Sequence, residues 1–132
     1  RIFLNQGDGR LEESFFFPMF GATEATAHDF DQDGDLDIAG IAYFADFAEN
    51  PVSSAVYLEN QSAENPEFTA WQLPGAEKGR WLRLEVADTD QDGDKDLLLA
   101  SNTIVGTPVP DSLKMYWEAE GQSILWLENQ LK

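Results

Sequence analysis

At 132 residues, 42% of them hydrophobic and 12% aromatic, the chain has the length of one ordinary domain and the apolar content to build a core. A net charge of −17 with only eight Lys+Arg argues against a nucleic-acid partner or an anionic membrane surface, since both need clustered cations. The sequence has no Cys, which removes disulfides and thiolate metal sites, and no apolar run approaches the ~18 residues that would span a bilayer.

In chain order, strands are predicted over about residues 1–6 and 14–18. The run Phe15-Phe16-Phe17 reads as packing between sheets rather than a ligand platform. Four more strands are predicted over about 24–30, 37–44, 54–61 and 67–73, the last ending at the Pro74-Gly75 turn signal. Asp37 to Phe44 is almost continuously apolar after its first residue, as expected of a strand covered on both faces. Asn60-Gln61-Ser62 fits the N-glycosylation triplet but sits at a strand end. Three final strands are predicted over about 80–88, 95–104 and 123–130. In the first of these, alternation places Leu82, Leu84 and Val86 on one face, with Arg83 and Glu85 on the other. No stretch shows helical periodicity capped at both ends, so the class is all-β.

The strands repeat. Ala55-Val56-Tyr57-Leu58-Glu59-Asn60-Gln61 recurs as Ile124-Leu125-Trp126-Leu127-Glu128-Asn129-Gln130, with a shorter relative in Arg1-Ile2-Phe3-Leu4-Asn5-Gln6. Ten of the thirteen Asp residues fall in two nine-residue loops, 29–37 and 88–96, offset by 59 residues. Four strands at this period are expected to form propeller blades of four antiparallel strands, with about two and a quarter repeats present. Residues 1–22 then hold the last two strands of a preceding blade, and 23–75 a complete blade with loop 29–37. Residues 76–132 hold the first three strands of the next, with loop 88–96. Incomplete blades would leave open strand edges, so the chain reads as a piece of a larger propeller or a unit of an assembly.

The loops are Asp29-Phe30-Asp31-Gln32-Asp33-Gly34-Asp35-Leu36-Asp37 and Asp88-Thr89-Asp90-Gln91-Asp92-Gly93-Asp94-Lys95-Asp96. Two carboxylates ~4 Å apart repel by about 4 kcal/mol at an effective dielectric near 20, so such loops need a cation to be compact. Carboxylates at alternate positions suit a hard ion that takes six to eight oxygens, which makes two calcium ions the expected cofactors. Asp29, Asp31 and Asp33 would each offer one side-chain oxygen, Asp35 its carbonyl, and Asp37 a bidentate closure. Asp88, Asp90, Asp92, Asp94 and Asp96 take the same roles in the second loop. Gly34 and Gly93 are expected at positive φ, turning the chain around the ion. An EF-hand is excluded, because its twelfth position needs Glu where this chain has Gly40 and Leu99.

Phe20-Gly21, followed by Asp-x-Asp-x-Asp-Gly-x-x-Asp and an apolar strand, resembles the FG-GAP repeats of integrin-α-type propellers. It is also similar to the VCBS repeats of bacterial surface and secreted proteins. The Leu-Glu-Asn-Gln strand and the Gly79-Arg80-Trp81 entry look closer to the bacterial group. The resemblance covers nearly the whole chain. It implies calcium in the hairpin between the first two strands of each blade.

A non-enzymatic, calcium-stabilised scaffold or adhesion module is therefore expected, located outside the cell, on its surface or in the periplasm. One alternative is part of a polysaccharide-active lyase or hydrolase. Another is the building unit of an extracellular fibre or surface layer. Catalysis has little material, with no Cys and the single His28 beside the first loop. Partners would be a protein, a glycan or neighbouring copies of the chain. The link 103–122 is about twice as long as its counterpart 45–54 and carries Met115, Tyr116 and Trp117. These three are the expected partner surface, on the rim opposite the calcium loops, together with the turns near 19–24 and 74–79.

Overall fold

The computed structural model describes residues 1–103 and 108–130. The last residue of the expected strand 95–104, part of the 103–122 link and the end of the 76–132 segment lie outside the described residues.

All nine expected strands are present. β1 (Ile2–Asn5) and β2 (Leu11–Phe15) form an antiparallel pair. β3 (Glu24–His28), β4 (Asp37–Ile41), β5 (Ala55–Asn60) and β6 (Phe68–Gln72) form a four-stranded sheet in sequential order. β7 (Trp81–Ala87), β8 (Asp96–Ser101) and β9 (Ile124–Leu127) form a three-stranded sheet, again in order. Every pairing is antiparallel, so each sheet is a meander of the kind that builds a propeller blade. β2 lies three residues earlier than expected. Gly7 and Gly9 at positive φ make a turn, closed by Gln6 N–H donating to Arg10 O at 2.9 Å, that brings Leu11 opposite Asn5.

The four- and three-stranded sheets face each other across the main core. Ala39, Ile41, Ala55 and Leu73 from the first meet Trp81, Leu84, Leu97 and Leu99 from the second. Small residues on β4 and β5 make room for the large ones opposite. Trp81 is fully buried and its indole N–H donates to Ala76 O at 2.8 Å. The expected sharing of one face by Leu82, Leu84 and Val86 fails at Leu82. A bulge between Trp81 and Arg83 turns Leu82 outward, while Trp81 and Leu84 both point into the core. Glu24 reaches across from β3 to accept the Leu84 N–H at 2.9 Å.

Among the described residues, one α-helix and two short 3-10 turns, Pro51–Ser54 and Ala76–Lys78, depart from the all-β expectation. α1 (Asp111–Glu120) lies within the long link. Pro110 precedes it and Asp111 opens its first turn, where a carboxylate favours the helix dipole. Gly121 follows it and donates to Trp117 O at 3.0 Å; a Cβ there would meet that oxygen at 2.3 Å. The helix is short and shows one narrow apolar stripe, Leu113, Tyr116 and Trp117, too brief to register as a period.

This stripe corrects the expected partner surface. Trp117 is buried rather than displayed, edge-on to Phe47 at 5.4 Å, with its indole N–H donating to Glu77 O at 2.8 Å. Tyr116 and Leu113 pack on the same cluster of Ala42, Ala45, Phe47 and Val109. Met115 alone of the three is well exposed. The helix uses its aromatic residues to cover the strand connections beneath it. Those connections do gather on one rim, as expected: Phe44 N–H donates to Gly21 O, and Met19 joins the cluster.

Beneath the cluster lies Arg80, 2% exposed. Its Nε donates to Tyr43 O at 2.9 Å, and its guanidinium lies 4.2 Å from the centre of the Tyr43 ring and 5.5 Å from that of Phe47. The planar cation stacks where an ammonium would be poorly solvated.

Candidate metal centres

Each aspartate loop joins two paired strands, β3 to β4 and β7 to β8. Strand pairing holds the two ends of each loop together, since His28 lies opposite Asp37 and Ala87 opposite Asp96. Within the loop, carboxylates hold the backbone in successive tight turns. Asp33 N–H donates to Asp31 Oδ1 at 3.2 Å, Gly34 N–H to Asp29 Oδ2 at 3.1 Å, and Asp35 N–H to Asp33 Oδ1 at 3.0 Å. The second loop repeats this, from Asp92 N–H to Asp90 Oδ1 at 3.3 Å and from Asp94 N–H to Asp92 Oδ1 at 3.2 Å.

Gly34 and Gly93 sit at φ of 100° and 102°, as the sequence pattern predicts. Gln32 and Gln91 also adopt left-handed φ, 58° and 67°, which the sequence reading missed. A non-glycine residue there costs about 1 kcal/mol or more. The same strain appears at the same position of both loops, so the loop shape overrides local preference.

The outcome is two triads. Asp29, Asp31 and Asp33 bring one carboxylate oxygen each within 4.8 Å of one another, and so do Asp88, Asp90 and Asp92. Asp35 Oδ1, Asp29 Oδ1 and Asp88 Oδ1 are buried with no hydrogen-bond partner among the described residues. A buried, unpartnered carboxylate oxygen is costly unless a cation satisfies it. Burial, reinforced by neighbouring carboxylates, pushes the Asp31, Asp35 and Asp90 carboxyls above their ordinary range. The donor set fits a hard divalent ion.

The ninth-position residues stand apart from the triads. Asp37 is fully buried; its Oδ2 accepts from Phe30 N–H at 3.0 Å and Tyr57 O–H at 2.8 Å, and its Oδ1 from Asn60 N–H at 2.8 Å. Asp96 accepts from the Thr89 N–H at 2.9 Å, the Thr89 hydroxyl and the Asn129 N–H at 2.9 Å. The Thr89 hydroxyl, more than any other partner, holds the Asp96 carboxyl below its usual range. The two carboxylates expected to close the ion shells are also structural braces. Both oxygens of each tie the start of the loop to the end of the third strand of its sheet. Asp35 and Asp94 place their side chains inside the protein, although their backbone carbonyls were the expected donors.

Of the neighbouring residues, His28 is half-buried and packs edge-on to Phe30 at 5.5 Å. Asn60 is 4% exposed, and its Oδ1 accepts from Gln61, Ser62 and Glu67 N–H groups, which makes it a turn brace rather than a glycan acceptor.

A family model described as an FG-GAP-like repeat matches residues 29–99, from the first aspartate of the first loop to the middle of β8. No curated protein and no solved structure matches the chain.

Proposed function

The chain belongs to the FG-GAP-like repeat family, and from that premise we propose that it is a calcium-binding propeller module that works outside the cell as a scaffold or adhesion surface. The observation that carries this is the pair of equivalent carboxylate triads, each with at least one buried oxygen left without a protein donor among the described residues. Asp29, Asp31 and Asp33 would hold one ion, with Asp35 beside them; Asp88, Asp90 and Asp92 would hold the other, beside Asp94. Bound calcium supplies the positive charge that cancels the repulsion within each loop. Magnesium suits the loops less well, because its rigid octahedron retains several waters and favours fewer protein ligands. Millimolar calcium outside cells would fill even sites of the weak extracellular class, ~10⁻⁴ to 10⁻³ M.

The role is read as non-enzymatic, since the grouped carboxylates available for acid–base chemistry are those that face the ions. No helix among the described residues is long and apolar enough to cross a membrane. The partner, a protein, a glycan or neighbouring copies, is expected on the rim opposite the loops, where Phe20, Phe44 and Met115 are exposed.

Isothermal titration of the metal-free chain with calcium should give a stoichiometry of two, and Asp33→Ala should reduce it to one. No heat of binding, or an unchanged stoichiometry in the variant, would remove the basis for the reading.

A further inference from the structure

The two loops belong to different sheets, and one residue touches both. Asn129 follows β9. Its backbone N–H donates to Asp96 Oδ1 at 2.9 Å, and its side-chain Nδ2 donates to Phe30 O at 2.7 Å. Phe30 stands between the first two carboxylates of the first triad, and its own N–H donates to Asp37 Oδ2 at 3.0 Å. Three hydrogen bonds therefore run from the ninth carboxylate of one loop to the ninth carboxylate of the other: Asp37 to Phe30, Phe30 to Asn129, and Asn129 to Asp96. At the far end, Asp96 Oδ2 holds the N–H of Thr89, which lies between Asp88 and Asp90.

The counterparts of Asn129 act within their own sheets. Asn60, the counterpart of Asn129, also donates its backbone N–H to the ninth carboxylate of its own sheet, Asp37. Its side chain then turns back and closes its own hairpin. Asn5, the counterpart in the first sheet, likewise accepts the N–H of Gly7 two residues on. Of the three, Asn129 is the one with the aspartate loop of a preceding sheet beside it, and its amide binds that loop.

We infer that Asn129 is a positioning residue that couples the two cation loops, so that an ion in one raises the affinity of the other. The inference rests on the calcium reading above. An ion held by Asp29, Asp31 and Asp33 fixes the peptide units among them, including the Phe30 carbonyl that Asn129 grips. Fixing that carbonyl fixes the Asn129 backbone, and through it Asp96 and the Thr89 peptide between the ligands of the second loop. The ordering needed for the second ion is then partly complete before it binds, which is positive cooperativity by shared ordering. Linkage requires the effect to be the same in both directions.

The test uses calcium titration of the whole chain and two single-loop variants, Asp33→Ala and Asp92→Ala. The coupling factor is the product of the two single-loop dissociation constants divided by the product of the two constants of the intact chain. With Asn129 present the factor should be at least about fivefold, within the usual range for coupled sites. In the same three chains carrying Asn129→Ala, which keeps the backbone N–H, it should fall to about one while both ions still bind. Charge removed by the loop variants is common to both sets and cancels. A purely structural Asn129 would weaken both sites yet leave the factor unchanged. A factor near one with Asn129 present, or a high factor that survives Asn129→Ala, overturns the inference while calcium binding stands. A native chain that takes up no calcium overturns the calcium reading itself, and the coupling with it. Should Asn129→Ala fail to fold, amide exchange of Asp92→Ala decides: calcium in the first loop must slow exchange at Thr89 and Asn129, and unchanged exchange there rejects the link.

Discussion

Chelation of calcium should lower the unfolding free energy of the chain by about 5 kcal/mol, the largest change in stability expected from any single treatment. With calcium at a hundredfold excess over Kd, each occupied site contributes about 2.7 kcal/mol, because only the folded loop gathers its ligands. For a domain of this size that corresponds to a melting temperature lower by about 15–20 °C. Asp35 Oδ1, Asp29 Oδ1 and Asp88 Oδ1 are buried without a donor among the described residues, and the metal-free loops keep that cost together with the repulsion inside each triad. A thermal melt recorded by circular dichroism, with and without chelator, gives the answer. Superimposable melts would mean that the triads form without help from a cation.

Truncation of Trp117 should be the most damaging test of the rim. Trp117→Ala empties a buried position between α1 and the strand connections and leaves the Glu77 carbonyl without its indole donor. Replacing a buried Trp by Ala costs about 3–5 kcal/mol. Met115→Ala, two residues away on the exposed face, should stay within about 0.5 kcal/mol of the parent. Denaturant titrations of the two variants separate the cases. Because the cluster lies on the rim away from the aspartate loops, folded Trp117→Ala should still take up two ions. A Trp117→Ala chain as stable as the parent would place the indole in solvent and restore it as a contact residue.

The strands and loops were legible because two strong local signals coincide. Period-two or continuous apolar runs mark the strands, and aspartates at alternate positions can gather only around a turn. What stayed hidden depends on contacts between distant residues. Leu82 obeys the alternation of its strand until a bulge, set by pairing with β8, turns it outward. Asp37 and Asp33 are the same residue type in the same loop, yet one is bound by Phe30, Tyr57 and Asn60 and the other joins the triad. Spacing cannot distinguish them; only the placement of β5 does. The exposed-looking Tyr116 and Trp117 misled for a related reason, since a ten-residue helix offers too few turns to announce which side is covered. Arg80 gave no sign of burial, because its aromatic neighbours lie 33 to 37 positions upstream.

The meander order of the sheets governs how fast the chain can find its fold. Within each sheet, strands that follow one another in sequence are paired, and those joined by short turns can close as hairpins within roughly 1–10 μs. Ties between the two larger sheets are of another kind: Glu24 to Leu84 and Phe30 to Asn129 span 60 and 99 residues. Loops of that length close late, after local pairing has repaid little of their entropy. Docking of preformed sheets across Trp81 is then expected to limit the rate, with the long-range ties made on the native side of the barrier. Substitutions at those ties should accelerate unfolding and leave refolding nearly unchanged, a split visible in the two limbs of a chevron plot. The chain would thus owe its speed of assembly to its hairpins and its persistence once assembled to the contacts between sheets.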